Sequence, residues 1–355
     1  MSDKFVTGYS IIEMLEVLRT NQKPTTFLRD KLVKRTREHV TSYIQIDVTK
    51  NGLTLPAYVS PIGDAEVVNK PGFDSKVHTL PYTKQKMILR PSDLNTRLPG
   101  ETIYSTSNPG SRLDVLMGEY LAILDQRLEV LEEKQIADAL MYGTCVVAGD
   151  GVAFTVDYGR DEDNDDQLTG NDRWSQSATR DILGDMRNAA TQMIKIGVGG
   201  GYPDLLLLGT NAAGFFMDEA LTADTKLNKA LDVRRFEGTN INLRLLQDQK
   251  VTYLGHVTDV GISIDVYEYH GAYQVDGVDT PFIDPDMAVF INTAARVERH
   301  YAMIENFNGN FIGQRFPQNW IVDDGSAMVL QLESGPLVAN HEPNATYALT
   351  VDADA

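Results

Sequence analysis

One cysteine, Cys145, stands in 355 residues, so no internal disulfide can form and a reducing site of synthesis fits. Its setting, Thr144-Cys145-Val146-Val147, reads as a small buried apolar position. No apolar run approaches the ~18 residues of a membrane span, and the N-terminal Met-Ser-Asp-Lys has no apolar signal core. No membrane association is therefore expected. Catalytic signatures are missing as well. His39, His78, His256, His270, His300 and His341 include no pair at His-Glu-x-x-His spacing. There is no nucleophile elbow, no Cys/His arrangement and no zinc-type cysteine pairing. The Gly-rich run 197–201 lacks the Lys-Ser/Thr of a phosphate loop and follows a helix, so it reads as a flexible turn. Asp161, Asp163 and Asp165 suggest a calcium loop, but Asp166 stands where Gly is required and Asp172 where a bidentate Glu is required. A solvated acidic loop is the reading, and neither cofactor nor metal is expected.

Positive charge is the scarcer sign. Lys and Arg number 32 against 50 Asp and Glu, a formal net charge of −18. A broad grip on a nucleic-acid backbone needs clustered cations. An acidic surface repels DNA, so nucleic-acid binding over a wide face is not expected. The charge is uneven. Residues 1–100 carry 15 cations against 10 anions, and the remainder carries 17 against 40. A mildly basic N-terminal part and an acidic body can attract each other between copies.

Against these absences, 42% hydrophobic and 23% charged residues make an ordinary globular composition. Ser10 and Glu13 form a capping box, and Ile11, Met14, Leu15 and Leu18 follow at helical spacing. This amphipathic helix is too short to stand alone and needs a partner surface. Residues 23–37 interleave Phe27, Leu28, Leu32 and Val33 with Arg29, Lys31, Lys34, Arg35 and Arg37. On residues alone, this is either a nucleic-acid arm or a strap across an acidic neighbour. Ile44, Ile46 and Val48 alternate with polar residues as a strand does, and Asn51-Gly52 suits a tight hairpin turn. Residues 53–92 continue as extended chain punctuated by proline, with Lys70, Lys76, Lys84 and Lys86 exposed. Such a stretch has little core of its own and makes sense as a projecting loop packed on another subunit.

Residues 111–142 form the longest expected helix, with Ser111 as N-cap and Gly143 just beyond its end. Leu113, Met117, Tyr120, Leu124, Leu128 and Leu131 run down one face. A hairpin over 146–158, a helix over 182–193 and a strand at Leu205–Leu208 follow, with Asn211 capping the next helix. Strands are expected at 251–254, 262–269, 287–291, 328–332 and 347–351. Helices and strands mix without a βαβ rhythm, so the class is α+β.

Several segments resemble the lambda-type major capsid protein family of tailed bacteriophages (capsid protein E). They are Arg315-Phe316-Pro317-Gln318-Asn319-Trp320 with Gly335-Pro336-Leu337, Tyr58-Val59-Ser60-Pro61-Ile62, and Gly159-Arg160 followed by an acidic loop and Trp174-Ser175. Thr26-Phe27-Leu28-Arg29, Val275-Asp276-Gly277-Val278 and Asn292-Thr293 fall in the same order. Each is short, and together they span nearly the whole chain.

The resemblance implies an HK97-like capsid fold. Its parts would be an N-terminal arm at 1–42, an extended E-loop hairpin at 43–95, and a P-domain at 96–180 with spine helix 111–142. A mainly A-domain segment would follow at 181–315, and C-terminal strands 316–355 would return to the P-domain. The implied function is structural and not enzymatic: hexamers and pentamers tile an icosahedral shell that encloses double-stranded DNA without sequence-specific binding. Arm residues Phe27, Leu28, Arg29, Lys31, Lys34, Arg35 and Arg37 would then strap a neighbour, and Lys70, Lys76, Lys84 and Lys86 would make E-loop contacts. A trimeric decoration protein, a separate scaffold protein, a portal and an uncleaved N-terminus are implied too. So are assembly in the host cytoplasm and a place in the virion capsid. Two other readings stand beside it: a shell of the same fold that packages protein, and an acidic metal-dependent hydrolase.

Overall fold

Four consecutive leucines, Leu205–Leu208, suit a strand covered on both faces. The computed structural model places them in the middle of a seven-stranded sheet, every one buried. The structure describes residues 9–20, 26–49, 73–96, 109–149, 151–196, 201–222, 225–232, 250–275, 277–308 and 312–353. The sheet runs, edge to edge, Asp165–Gln167, Thr346–Thr350, Met287–Ile291, Leu205–Leu208, Ile262–Tyr269, Val251–Asp259 and Leu231–Asp232. Successive strand side chains point to opposite faces, so the leucines divide between two cores. Leu206 and Leu208 join Trp174, Met186, Met193 and Phe216 on one side, whereas Leu205 and Leu207 join Phe27, Leu28, Ile136 and Leu140 on the other.

Among the described residues the α-helices are α1 (Ile11–Thr20), α2 (Phe27–Leu32), α3 (Pro91–Asn95), α4 (Pro109–Tyr142), α5 (Ile182–Ile196), α6 (Thr210–Leu221) and α7 (Lys226–Ala230). None among the described residues is long and apolar enough to cross a membrane. α4, with 34 residues, is roughly 51 Å long at ~1.5 Å per residue. Its N-terminal half lies on a three-stranded sheet of Phe316–Ile321, Met328–Ser334 and Thr83–Leu89. Leu113, Leu121, Leu124 and Leu128 pack there against Leu330 and Leu332, and α1 adds Met14 and Leu18. Its C-terminal half lies on the seven-stranded sheet through Ile136 and Leu140. One helix thus spans two cores.

α4 ends as its sequence requires. Gly143 takes φ +63°, the left-handed conformation that glycine tolerates. The Arg160 guanidinium donates to the carbonyls of Leu140 (2.8 Å) and Met141 (2.7 Å), satisfying acceptors that a helix terminus leaves open. A Cβ at Gly143 would come within 2.7 Å of Arg160, a second reason for glycine there.

The structure departs from the sequence reading at several points. Tyr43–Thr49 pairs with Phe73–Thr79, so the hairpin closes across residues 50–72, and the Asn51-Gly52 turn lies outside the described residues. Thr83–Leu89 pairs with Met328–Ser334 instead of extending the loop. Its alternating burial explains this, because Leu89 and the partly buried Met87 face α4. Gly209, and not Asn211, is the N-cap of α6, and the Asn211 amide donates instead to Asp286 (2.9 Å). The final strand, Thr346–Thr350, joins the seven-stranded sheet between Met287–Ile291 and Asp165–Gln167. Its first four residues are buried, so it needs cover on both faces, and a sheet interior supplies that. The acidic loop is held in place: Asp161 accepts from the Asp163 amide (3.2 Å), Asp165 pairs with Arg160 (3.1 Å), and Asp166 accepts from Tyr347 (3.2 Å).

Candidate assembly surfaces and the ionic seam beneath them

The N-terminal segment holds the body by two devices. α2 buries Phe27 and Leu28 against α4 and the large sheet. The backbone amides of Leu28 and Arg29 donate to the Glu133 carboxylate (3.0 and 3.2 Å), and Arg29 pairs with Glu129 (3.0 Å). Beyond α2, Val33–Glu38 pairs in parallel with Val297–Tyr301, whose other neighbour is Pro336–Asn340. Lys34 donates to the Ala294 carbonyl (2.6 Å) and Arg37 pairs with Glu298 (2.6 Å). Phe27, Leu28 and Arg29 thus pack within their own chain. Lys31, Lys34, Arg35 and Arg37 stay on the surface.

Among the described residues, the hairpin of Tyr43–Thr49 and Phe73–Thr79 pairs only with itself. Ile44 and Leu80 root it in a small core with Cys145, Val156 and Tyr158. Burial pushes the Cys145 thiol up to about 12, so it behaves as an inert apolar group. Tyr43 and Val77 share the outward face and are more than half exposed. Lys76 pairs with Asp157 (2.7 Å) at the root. Lys84 and Lys86 sit on the strand against α4, where Lys84 lies 3.6 Å from the buried Glu333 and over the Tyr82 ring. Lys70, Tyr58 and Pro61 fall outside the described residues.

The Arg315–Trp320 segment divides its labour. Arg315 is buried and reaches α4, with its Nε 2.7 Å from Asp125 and a terminal nitrogen 2.9 Å from Glu132. The two carboxylates are seven residues apart, two helical turns, so they share a face. Pro317 is the second residue of the strand and sits opposite Leu332. The Asn319 amide accepts from the Tyr9 backbone N–H (3.2 Å) and donates to the Tyr9 carbonyl (2.7 Å), clamping the start of α1. Trp320 is 39% exposed.

Arg315 belongs to a larger seam that the sequence reading missed. Asp125, Glu129, Glu132 and Glu133 recur on one face of α4, and all are buried. Arg299 (3.0 Å) and the Tyr301 hydroxyl (2.8 Å) also engage Glu132. The Tyr269 hydroxyl donates to Glu133 (2.8 Å). Burial alone would raise the Glu132 carboxyl, but Arg315 and Arg299 override it and hold it below the ordinary value. At neighbouring Glu133 burial wins over its hydrogen bonds, and the carboxyl is raised. The signal in the sequence was the spacing of these acids, which follows the helical period. Their cations come from residues 29, 299 and 315, which no local pattern connects.

Trp174, fully buried, donates its indole N–H to Asp185 (2.8 Å). Burial, aided by Asp181, Asp172 and Asp166, pushes this carboxyl up to about 6 from the usual 3.8. A carboxyl raised in the folded state binds extra protons there, so its contribution is favourable at low pH and lost as pH rises through about 4 to 6. Asp185→Asn keeps an acceptor for the indole and removes the titration. Denaturant unfolding should show the variant equal to the parent near pH 4. Near pH 7 it should be more stable by about 1–2 kcal/mol, after allowing for the partial exposure of the group.

One long helix thus carries two sheets, and a self-paired hairpin leaves the body beside it. The crystal structure of a protein assigned as a prophage capsid protein of E. coli CFT073 superimposes with a TM-score of 0.73 at 16% identity, over 97% of this chain and 99% of that one. The fold is therefore the α+β, HK97-like capsid fold. The chain belongs to the phage major capsid protein E family, whose profile matches residues 10–351. It is 25% identical to the major capsid protein of Escherichia phage lambda over 301 residues, 82% of this chain and 84% of that one. To the major capsid protein of Enterobacteria phage phi80 it is 25% identical over 353 residues, 95% and 98% of the two chains. Its function is structural: copies of the chain build the shell of the phage head, and its place is the virion capsid.

Proposed function

We propose that this chain tiles a closed icosahedral lattice as hexamers and pentamers, enclosing double-stranded DNA without catalysis and without reading its sequence. The observation that carries the reading is the hairpin, which among the described residues pairs only with itself and turns Tyr43 and Val77 outward. A strand pair with an exposed apolar face gains by lying on another molecule. The exposed cations Lys31, Lys34, Arg35 and Arg37 face a lattice of acidic bodies, so the N-terminal segment acts between subunits through charge while its apolar side chains hold it at home. Lys70 and Lys76 serve the same contact from the loop, and Lys84 and Lys86 serve it from the strand beside α4. A trimeric decoration protein at local three-fold positions, a separate scaffold and a portal complete the particle, which assembles in the host cytoplasm.

The test is negative-stain electron microscopy of the chain, produced alone and together with its neighbouring genes. Closed shells or capsomer-sized rings are expected in at least one condition. A monodisperse monomer in both would sink the reading.

A further inference from the structure

Three of the six histidines meet at one point. Strand Val297–Tyr301 carries Glu298 and His300, two residues apart and so on the same face. His341 follows strand Pro336–Asn340 directly, and its backbone N–H donates to the Arg296 carbonyl (3.0 Å). His39 follows strand Val33–Glu38, and its backbone N–H donates to the Tyr301 carbonyl (2.9 Å). Three strands thus deliver four side chains to one place.

The distances suit a metal ion. Nε2 of His300 and Nε2 of His341 are 3.2 Å apart, and His341 Nε2 is 3.6 Å from Glu298 Oε2. One ligand atom from each of the three residues lies within 4.8 Å of the other two. Metal–nitrogen and metal–oxygen bonds of ~2.0–2.1 Å in a tetrahedron set ligand atoms ~3.3 Å apart. The His341 Nε2 faces both His300 and Glu298, and one ring proton cannot serve both well, whereas a cation serves all three. His300 turns its other nitrogen, Nδ1, to His39 Nε2 at 2.8 Å. With His300 ligating through Nε2, Nδ1–H would donate to His39, which fixes the tautomer and the ring orientation. Glu298 and His300 are buried, and the partly exposed His341 leaves an approach from solvent.

We propose that Glu298, His300 and His341 bind one transition-metal dication of the zinc class, with His39 as the outer partner of His300. Two imidazoles and a carboxylate are a borderline-soft donor set of the kind zinc takes, and the fourth position is left for water. Arg37 (2.6 Å) and Arg296 (2.9 Å) also pair with Glu298, and Glu342 accepts from the Arg296 backbone N–H (3.1 Å). The arginines oppose a second cation, so this is a site of moderate affinity, and replacing Arg37 strengthens it. An ion here would tie the end of the N-terminal strand to the body at the edge where that strand enters.

The experiment is titration of chelator-treated full-length chain with zinc chloride, followed by calorimetry and by zinc retained after gel filtration. One ion per chain is expected, with half-saturation in the micromolar range. His341→Ala and His300→Gln should each weaken binding at least about tenfold, and His39→Ala by about ten- to a hundredfold, as for outer-shell partners. Arg37→Gln should tighten it, and His270→Ala should leave it unchanged. Thermal melts of the metal-free variants confirm that each is folded. No retained zinc, or binding that His341→Ala and His300→Gln leave intact in folded protein, overturns the assignment.

Discussion

Replacing Arg315 by alanine should lower the unfolding free energy of the chain by about 3–5 kcal/mol, the cost of stranding buried charge. Asp125 and Glu132 are both buried, and Arg315 reaches each within 2.9 Å. Without the guanidinium, Asp125 loses its strong partner and Glu132 keeps only Arg299 and the Tyr301 hydroxyl. Arg315→Lys should fall between the two, because an ammonium cannot fork to two carboxylates as a guanidinium does. Denaturant titration measures both. The loss should also depend on pH. The parent Glu132 carboxyl is held below its ordinary value, so its stabilisation is present above the unfolded carboxylate pKa and fades as pH falls through the folded one. The gap between parent and Arg315→Ala should therefore narrow in acid. A variant within 1 kcal/mol of the parent at pH 7 would show that water reaches the seam.

The second large effect concerns assembly and not stability. Gln45 and Val77 are paired residues in the hairpin, so residues 46–76 can be replaced by Asn-Gly as a two-residue turn. The root of the hairpin, with Ile44 and Leu80, stays in place. The ion pair of Lys76 with Asp157 is lost, but it is largely exposed and worth little. The melting temperature should move by no more than about 4 °C, corresponding to ~1 kcal/mol in a chain of this size. Closed shells should fall at least about tenfold, since ~1.4 kcal/mol removed from one contact is already a factor of ten. Shell counts by electron microscopy, at matched protein concentration, decide it. Undiminished shells would place the intersubunit contact at the retained root, with Tyr43 and Val77, or at the exposed cations of the N-terminal strand.

Much of this fold was legible in the sequence, and particular residues show why. The leucine stripe of α4 follows the helical period, and the Ser10–Glu13 capping box appears with its reciprocal bonds, Ser10 N to Glu13 (2.9 Å) and Glu13 N to Ser10 Oγ (3.3 Å). Such signals are local, and the chain honours them wherever tertiary structure agrees. The strand that pairs with Tyr43–Thr49 was missed because pairing across residues 50–72 leaves no local mark. The acids of α4 look like a solvated face until Arg29, Arg299 and Arg315 arrive from elsewhere. Glu298, His300 and His341 show the same limit. Two share a strand face, but the third is 41 residues on, and only the sheet register brings it home.

The parallel pairing of Val33–Glu38 with Val297–Tyr301 carries a consequence for synthesis. The two strands lie far apart in the chain, so closing this contact belongs to the slow, non-local part of folding. At ~5–20 residues per second, roughly 15 to 50 s pass on the ribosome between emergence of the first strand and of its partner. During that interval α4 is made and offers Phe27 and Leu28 part of their site, while the large sheet still lacks Thr346–Thr350. Strand Val33–Glu38 is therefore made early and paired late, and a chain cut short upstream of residue 297 leaves it without its partner. Pairing of this strand therefore reports that synthesis has passed residue 301, a checkpoint for the body that must form before a subunit can join its neighbours.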